Sequence, residues 1–178
     1  EHIMFKGTDK IGTVNYQEEK VYLDSISLKY DELALTKDEL KRLRESALNL
    51  VDVKNVAAII IEPIQGEGGF NPMPQKYLEG LRAFCDEHGI MLIMDEVQSG
   101  FCRTGHWASW QHYGVQPDIS TYAKSMGSGL PIAAVVGKAE VMDAAAIGSI
   151  GGTYIGSPIC CVAASATIKY MKEINLNG

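Results

Sequence analysis

The second half of the chain alternates continuous apolar runs with stretches of helical periodicity. The run Val56–Ile61 ("VAAIII") is typical of a strand buried on both faces, and Ile90–Met94 ("IMLIM") has the same character. Between them Pro74 stands where a helix would begin, an apolar face follows at helical spacing, and Gly89 is a favourable helix end. Strand, helix and strand joined by short connections predict a βαβ unit, and therefore parallel strands.

The pattern continues towards the end of the chain. It predicts a third strand over Ile119–Ala123, a fourth over Ile132–Gly137 ("IAAVVG") and a long helix from Pro158 to Ile174. The predicted fold class is α/β, a mainly parallel sheet with flanking helices. We place this partial domain at residues 51–178.

Residues 1–50 form an N-terminal segment that the pattern describes poorly. Residues 1–35 mix short β-like runs with charges. A helix is predicted near 36–50, because Thr36 and Glu39 form a capping-box pattern and leucines and alanines follow at roughly helical spacing.

Composition narrows the class of protein. The chain has 178 residues, 46% of them hydrophobic, which suits one soluble globular domain. Its 16 basic and 22 acidic residues give a net charge of −6 without a basic stripe, so we expect no nucleic-acid partner. No apolar run is long enough to cross a membrane, and no secretory signal is visible. The 4 cysteines form no CxxC pair and the 4 histidines are scattered, which favours a reducing cytoplasm and no metal site.

Three charged residues stand at or just past predicted strand ends: Glu62, Asp95 and Lys124. In parallel α/β sheets, ligands gather at the carboxyl ends of the strands. Asp95 could cap the following loop, or it could keep a ligand nitrogen protonated. Lys124 could be a solvated surface lysine, or it could be a nucleophile for carbonyls. One such lysine with one such aspartate is what pyridoxal phosphate requires.

Four ordered blocks make the resemblance specific. They are "EPIQGEGGF" (62–70), "DEVQSGFCRTG" (95–105), "GVQPDISTYAKSMGSGLPIAAVVG" (114–137) and "GGTYIGSP" (151–158). In order and spacing they resemble the class III pyridoxal-phosphate-dependent aminotransferases (4-aminobutyrate, acetylornithine and ornithine aminotransferase-like). The resemblance covers roughly residues 50–175 and implies part of the large domain of a fold type I transferase.

The resemblance also implies roles at the cofactor. Lys124 would form the Schiff base with pyridoxal 5'-phosphate, and Asp95 would pair with the pyridine nitrogen. Val97 would pack on one face of the ring, and Gln98 would hydrogen-bond the ring's 3-oxygen. Thr153 would reach the cofactor phosphate of a neighbouring subunit, in a homodimer that shares its active sites.

Other residues in the blocks receive weaker roles. Glu67 resembles the glutamate that pairs with a substrate-binding arginine, and Glu62 would order the same loop. Between Glu96 and Arg103 we expect a salt bridge that shapes the loop. Trp107 and Trp110 would be core or interface aromatics; the glycines Gly127, Gly129, Gly151 and Gly152 would serve backbone shape.

The implied reaction moves an amino group from an ω-amino acid, such as 4-aminobutyrate, to a 2-oxo acid such as 2-oxoglutarate. A racemase or epimerase on the same scaffold and a non-catalytic structural module remain as alternatives. Family members are longer, and the upstream phosphate-binding loop, the ring-stacking aromatic and the downstream carboxylate-binding arginine are not found in this sequence. We therefore expect a fragment or truncated product with little or no transaminase activity by itself.

Overall fold

The computed structural model describes residues 2–6, 9–14 and 53–177. The helix predicted near 36–50 lies outside the described residues. The strands are β1 (His2–Lys6), β2 (Asp9–Val14), β3 (Ala58–Ile61), β4 (Ile64–Gln65), β5 (Asn71–Pro72), β6 (Met91–Asp95), β7 (Ile119–Tyr122) and β8 (Ala134–Gly137). The helices are α1 (Gln75–His88), α2 (Ala139–Met142) and α3 (Pro158–Glu173), with short 3₁₀ turns at Val53–Asn55, Ser109–Tyr113 and Lys124–Gly127.

Six strands form one sheet in the order β2-β1-β3-β6-β7-β8, and β4 and β5 form a separate hairpin. The central strands β3, β6 and β7 are parallel, as predicted. On the two sides of this centre, β1 runs antiparallel to β3 and β8 runs antiparallel to β7. The α/β class is confirmed, with its parallel part at the centre of the sheet.

The direction of β8 follows from the length of its connection. A parallel return needs a crossover of about a dozen residues or more, normally with a helix, but Tyr122 and Ala134 are joined only by a 3₁₀ turn and a loop. The chain therefore turns back beside β7. Its predicted start at Ile132 was two residues early, because pairing begins at Ala134.

The helix α1 begins and ends where the sequence predicted. Pro74 is its N-cap, and Gly89 ends it with φ 66°, a left-handed conformation that costs glycine little. Its buried side chains Leu78 and Cys85 pack with Leu92 and Met94 of β6 in the hydrophobic core. Burial raises the pKa of the Cys85 thiol to about 11, as expected for a core residue.

A buried carboxylate stabilises the sheet near the start of β6, at the opposite end of the strand from Asp95. Asp118 accepts hydrogen bonds from the backbone N–H of Leu92 (2.7 Å), from Arg82 (2.8 Å) and from Lys138 (2.6 Å). Burial alone would raise the pKa of Asp118, but these donors outweigh it, so the pKa lies below its usual value. The ionic cluster joins α1, β6 and the residue after β8.

No helix among the described residues has both the length and the apolar character to span a membrane.

Candidate active site

Asp95 is the last residue of β6, and its carboxylate is held by two hydrogen bonds. The backbone N–H of Val97 donates to Oδ1 at 2.9 Å, and the hydroxyl of Thr121 on β7 donates to the same oxygen at 3.1 Å. Both hydrogen bonds described for this side chain therefore end on Oδ1. The half-buried carboxylate is fixed in direction at the carboxyl edge of the sheet, and Oδ2 is the oxygen available to a cationic partner.

Lys124 opens the 3₁₀ turn that follows β7, and its backbone φ of 45° is left-handed. Such a conformation is uncommon for a residue other than glycine and often occurs at functional sites. The ammonium Nζ donates to Oε1 of Gln98, which lies in the turn after β6. The exposed lysine and the half-buried glutamine thus meet across two neighbouring strand ends.

A third strand end completes this group. Gly66 lies so close to Gln98 that a Cβ placed on it would stand 2.2 Å from Cγ of the glutamine. The N–H of Gly66 donates to Oε2 of Glu62 at 2.9 Å, so Glu62 orders the loop after β3. The glycine is required at this position because the side chain of Gln98 occupies the space that a Cβ would need.

Two predicted residues lie apart from this group. Glu67 is exposed in the turn between β4 and β5, and Thr153 is exposed in the loop between α2 and α3. No hydrogen bond joins either of them to Asp95, Gln98 or Lys124 in the described part of the chain. Their predicted roles need a substrate or a second subunit and stay predictions.

Glu96 differs from its expected role. Its side chain is only 1% exposed, and it accepts hydrogen bonds from Ser99, Ser109 and the backbone N–H of Trp110. Arg103 is exposed, and no salt bridge between it and Glu96 occurs among the described residues. The prediction of a salt bridge was wrong, because nearby hydroxyl and backbone donors satisfy the buried carboxylate. The signal for this was weak in the sequence, since Ser109 is distant along the chain.

The two tryptophans take structural positions. Trp110 packs against the hydrophobic core. Trp107 makes an edge contact with Phe101, with ring centroids 6.1 Å apart, and Phe101 in turn contacts Tyr122 at 5.8 Å. Together these rings fasten the loop after Gln98 to β7.

The residues at this edge fit the ring end of pyridoxal phosphate. A fixed carboxylate with one oxygen available suits the protonated ring nitrogen, and an exposed lysine amine suits the carbonyl carbon. The amide of Gln98 lies next to that amine, where it can pair with a ring oxygen. The three groups come from the ends of β6 and β7, the place where ligands bind in sheets of this kind.

Comparison with known proteins identifies relatives of the chain. The chain is 54% identical over 128 residues to the 5-aminovalerate aminotransferase DavT of Pseudomonas putida, covering 72% of this chain and 30% of that protein. It is 55% identical over 123 residues to the 4-aminobutyrate aminotransferase GabT of Escherichia coli, covering 69% of this chain and 29% of that one. The chain therefore spans about a third of the length of these relatives.

The solved structures that this chain resembles are also aminotransferases. A taurine:2-oxoglutarate aminotransferase from Bifidobacterium kashiwanohense, in complex with PLP and glutamate, superimposes with a TM-score of 0.72 at 38% identity, covering 79% of this chain and 32% of that one. The ornithine aminotransferase of Toxoplasma gondii superimposes with a TM-score of 0.67 at 42% identity, covering 75% and 31%. The family model for class-III aminotransferases matches residues 8–177. The chain belongs to the class III aminotransferases.

Proposed function

We propose that this protein transfers an amino group from an ω-amino acid of the 4-aminobutyrate type to a 2-oxo acid such as 2-oxoglutarate, with pyridoxal phosphate bound at Lys124. The observation that carries the proposal is the meeting of Lys124 with Gln98, beside the fixed carboxylate of Asp95, at the ends of two parallel strands. Membership of the class III family supports the reaction type.

When bound, pyridoxal phosphate supplies an electron-withdrawing ring that stabilises negative charge on the substrate carbon next to nitrogen. Asp95 would contribute by pairing Oδ2 with the protonated ring nitrogen, since a carboxylate attracts an adjacent cation. Val97 and Thr121 orient that carboxylate through Oδ1, so it does not need to reorganise.

Lys124 has two tasks. Its amine would hold the cofactor, and the same nitrogen, when free, would accept a proton from the substrate carbon next to nitrogen. The left-handed backbone and the 3₁₀ turn fix where that amine begins. Gln98 orients the amine before the cofactor arrives and can then pair with the ring's 3-oxygen.

The choice of donor rests on the relatives. Those named above act, by name, on 5-aminovalerate and 4-aminobutyrate, whose amino groups lie far from the carboxylate. We therefore propose an ω-amino acid donor, with Glu67 and Glu62 on the substrate side. We also propose a homodimer in which Thr153 reaches the cofactor phosphate of the second copy; the exposed Tyr154 (90%) and Ile155 (69%) beside it support a partner surface there.

The proposal is tested by asking which amines displace Lys124 from the cofactor. The chain is loaded with pyridoxal phosphate, treated with an amine, and reduced with borohydride, and the adduct left on Lys124 is measured by peptide mass spectrometry. We expect 4-aminobutyrate and 5-aminovalerate to lower the amount of adduct on Lys124 strongly. Butyrate, the matched acid without an amine, should leave that amount unchanged. Equal displacement by every amine tested would contradict the proposed donor class.

A second arm separates amino transfer from epimerisation. With ¹⁵N-labelled 4-aminobutyrate and 2-oxoglutarate, a transaminase places the label in glutamate. An epimerase instead exchanges the α-hydrogen of an α-amino acid with deuterated solvent and needs no 2-oxo acid. Solvent exchange without label transfer would overturn the proposed reaction.

A further inference from the structure

The buried carboxylate of Glu96 accepts hydrogen bonds from two segments of the chain. Oε2 accepts from the hydroxyl of Ser99 at 2.8 Å and from the backbone N–H of Ser109 at 2.9 Å. Oε1 accepts from the hydroxyl of Ser109 at 2.8 Å and from the backbone N–H of Trp110 at 2.9 Å. Glu96 thereby joins the end of β6 to the 3₁₀ turn Ser109–Tyr113.

The donors around Glu96 are hydroxyls and backbone N–H groups, with no cationic side chain among those described. A buried anion without a cationic partner is costly and persists where converging donors satisfy it. Both oxygens act only as acceptors here, a role that a carboxylate fills and an amide cannot, because an amide turns one side into a donor. The arrangement is therefore specific for a carboxylate.

The backbone of Glu96 is held as firmly as its side chain. Its N–H donates to the carbonyl of Thr121 on β7 at 2.9 Å, and its carbonyl accepts from the N–H of Gly100 at 2.9 Å. A Cβ on Gly100 would stand 2.8 Å from that carbonyl oxygen and 2.9 Å from the ring of Tyr122. The turn 96–100 is thus closed by its own hydrogen bond and packed tightly against β7.

Glu96 lies between two residues of the candidate site. Asp95 precedes it, and Val97 and Gln98 follow it within the same turn. Asp95 at the end of β6 is half-buried, whereas Glu96 directly after the strand is buried, so the two neighbouring side chains lie in different surroundings. A rotation of this turn would move both the N–H of Val97, which orients Asp95, and the amide of Gln98, which pairs with Lys124.

We propose that Glu96 is a positioning residue for the cofactor. Its carboxylate fixes the turn 96–100 against Ser109 and Trp110, and this holds Asp95 and Gln98 in the positions that bind the pyridoxal phosphate ring. This inference rests on the proposed function for the identity of the ligand. The fixing of the turn itself is a property of the chain alone.

The first test compares two buried carboxylates, Glu96 directly after β6 and Asp118 directly before β7. Glu96→Gln alters the end of β6 at the proposed cofactor site, and Asp118→Asn alters the start of β6, at the opposite end of the strand. Pyridoxal phosphate is titrated into each chain and the dissociation constant is read from absorbance. We expect Glu96→Gln to weaken binding about tenfold or more, as does the loss of partners that orient metal ligands, and Asp118→Asn to leave it within about twofold.

The second test needs no cofactor. Hydrogen exchange of the backbone amides should speed up in Glu96→Gln at Val97–Gly100 and at Ser109 and Trp110, with β3 unchanged. In the cofactor titration of the first test, Ser109→Ala should also raise the dissociation constant, and the double variant should add little to either single one, because both changes remove the same contact.

The outcomes separate the two claims. If the unchanged chain does not bind pyridoxal phosphate saturably, the proposed function fails, while faster exchange in Glu96→Gln would still uphold the fixing of the turn. If the unchanged chain binds and Glu96→Gln binds equally well, or if Asp118→Asn weakens binding as much, the positioning role of Glu96 is overturned and the proposed function stands.

Discussion

At the scale of single residues, the site depends on side chains and glycines that touch one another across strand ends. Gln98 contacts Lys124 on one side and covers Gly66 on the other. Asp95 is oriented by a neighbour in sequence, Val97, and by a neighbour in space, Thr121. Because each contact has so few atoms, small substitutions here should have measurable effects.

Gly66→Ala should destabilise the chain. The new Cβ would stand 2.2 Å from Cγ of Gln98 and 2.9 Å from its Cβ, so the base of that side chain must move. Overpacking of this kind costs about 1–3 kcal/mol of the free energy of unfolding. Urea denaturation measures it, with Gly80→Ala as the control: Gly80 lies in α1 with nothing within 4 Å, and alanine there should stabilise by about 0.5–1 kcal/mol. A Gly66→Ala chain as stable as the original would refute the close approach.

Cys102→Gly should stabilise the chain. Cys102 has φ 60°, directly after Phe101 with φ 54°, and a left-handed residue with a Cβ carries strain of about 1 kcal/mol that glycine does not. Cys102→Ala, which removes the thiol but keeps the Cβ, is the matched control and should change little. The two variants are compared by their urea midpoints. If glycine and alanine behave alike, strain at this position is not the cause.

At the scale of elements, the parallel strands are fastened at both ends by carboxylates. Asp118 joins the start of β6 to Arg82 on α1 and to Lys138 after β8, while Glu96 joins the end of β6 to the turn Ser109–Tyr113. The first uses cations and the second uses neutral donors. The Asp118 cluster therefore predicts a pH dependence of stability.

The pKa of Asp118 is lowered in the folded chain, because the hydrogen bonds from Lys138, Leu92 and Arg82 outweigh its burial. Its stabilising contribution is therefore complete above the unfolded pKa of about 4 and is lost as the pH falls through the folded pKa. Asp118→Asn should cost about 1.5–3 kcal/mol near pH 6, the usual range for hydrogen bonds to charged groups.

The free energies of unfolding of the two chains should converge as the pH is lowered from 6 towards 3. Urea denaturation at a series of pH values measures this convergence. A difference that stays constant over that range would show that the charge of Asp118 does not contribute.

The elements also show what the sequence could predict. The apolar runs and the Pro74 and Gly89 signals predicted β3, α1 and β6, because burial and capping are local properties. The direction of β8 was missed, although the length of its connection pointed to it. The role of Glu96 could not be predicted, because its donors Ser109 and Trp110 lie in a short 3₁₀ turn that has no periodicity to read.

At the scale of the whole molecule, the chain carries the candidate site at one end of its strands and spans about a third of the length of its relatives. The four blocks of sequence predicted Lys124, Asp95 and Gln98 together, and the structure brings Lys124 and Gln98 into contact. Thr153 and Glu67 make no hydrogen bond to these residues in the described part of the chain. The predicted role of each involves a second subunit or a substrate. The central claim concerns Lys124.

The most direct test is to identify the residue that pyridoxal phosphate modifies. The purified chain is mixed with the cofactor, its absorbance is recorded before and after borohydride reduction, and the adduct is located by peptide mapping. Lys124→Ala is compared with Lys169→Ala, which removes an exposed lysine of α3 instead. We predict a single adduct on Lys124, with the visible band lost in Lys124→Ala and kept in Lys169→Ala. Adducts spread over exposed lysines, with a band that survives Lys124→Ala, would contradict the account.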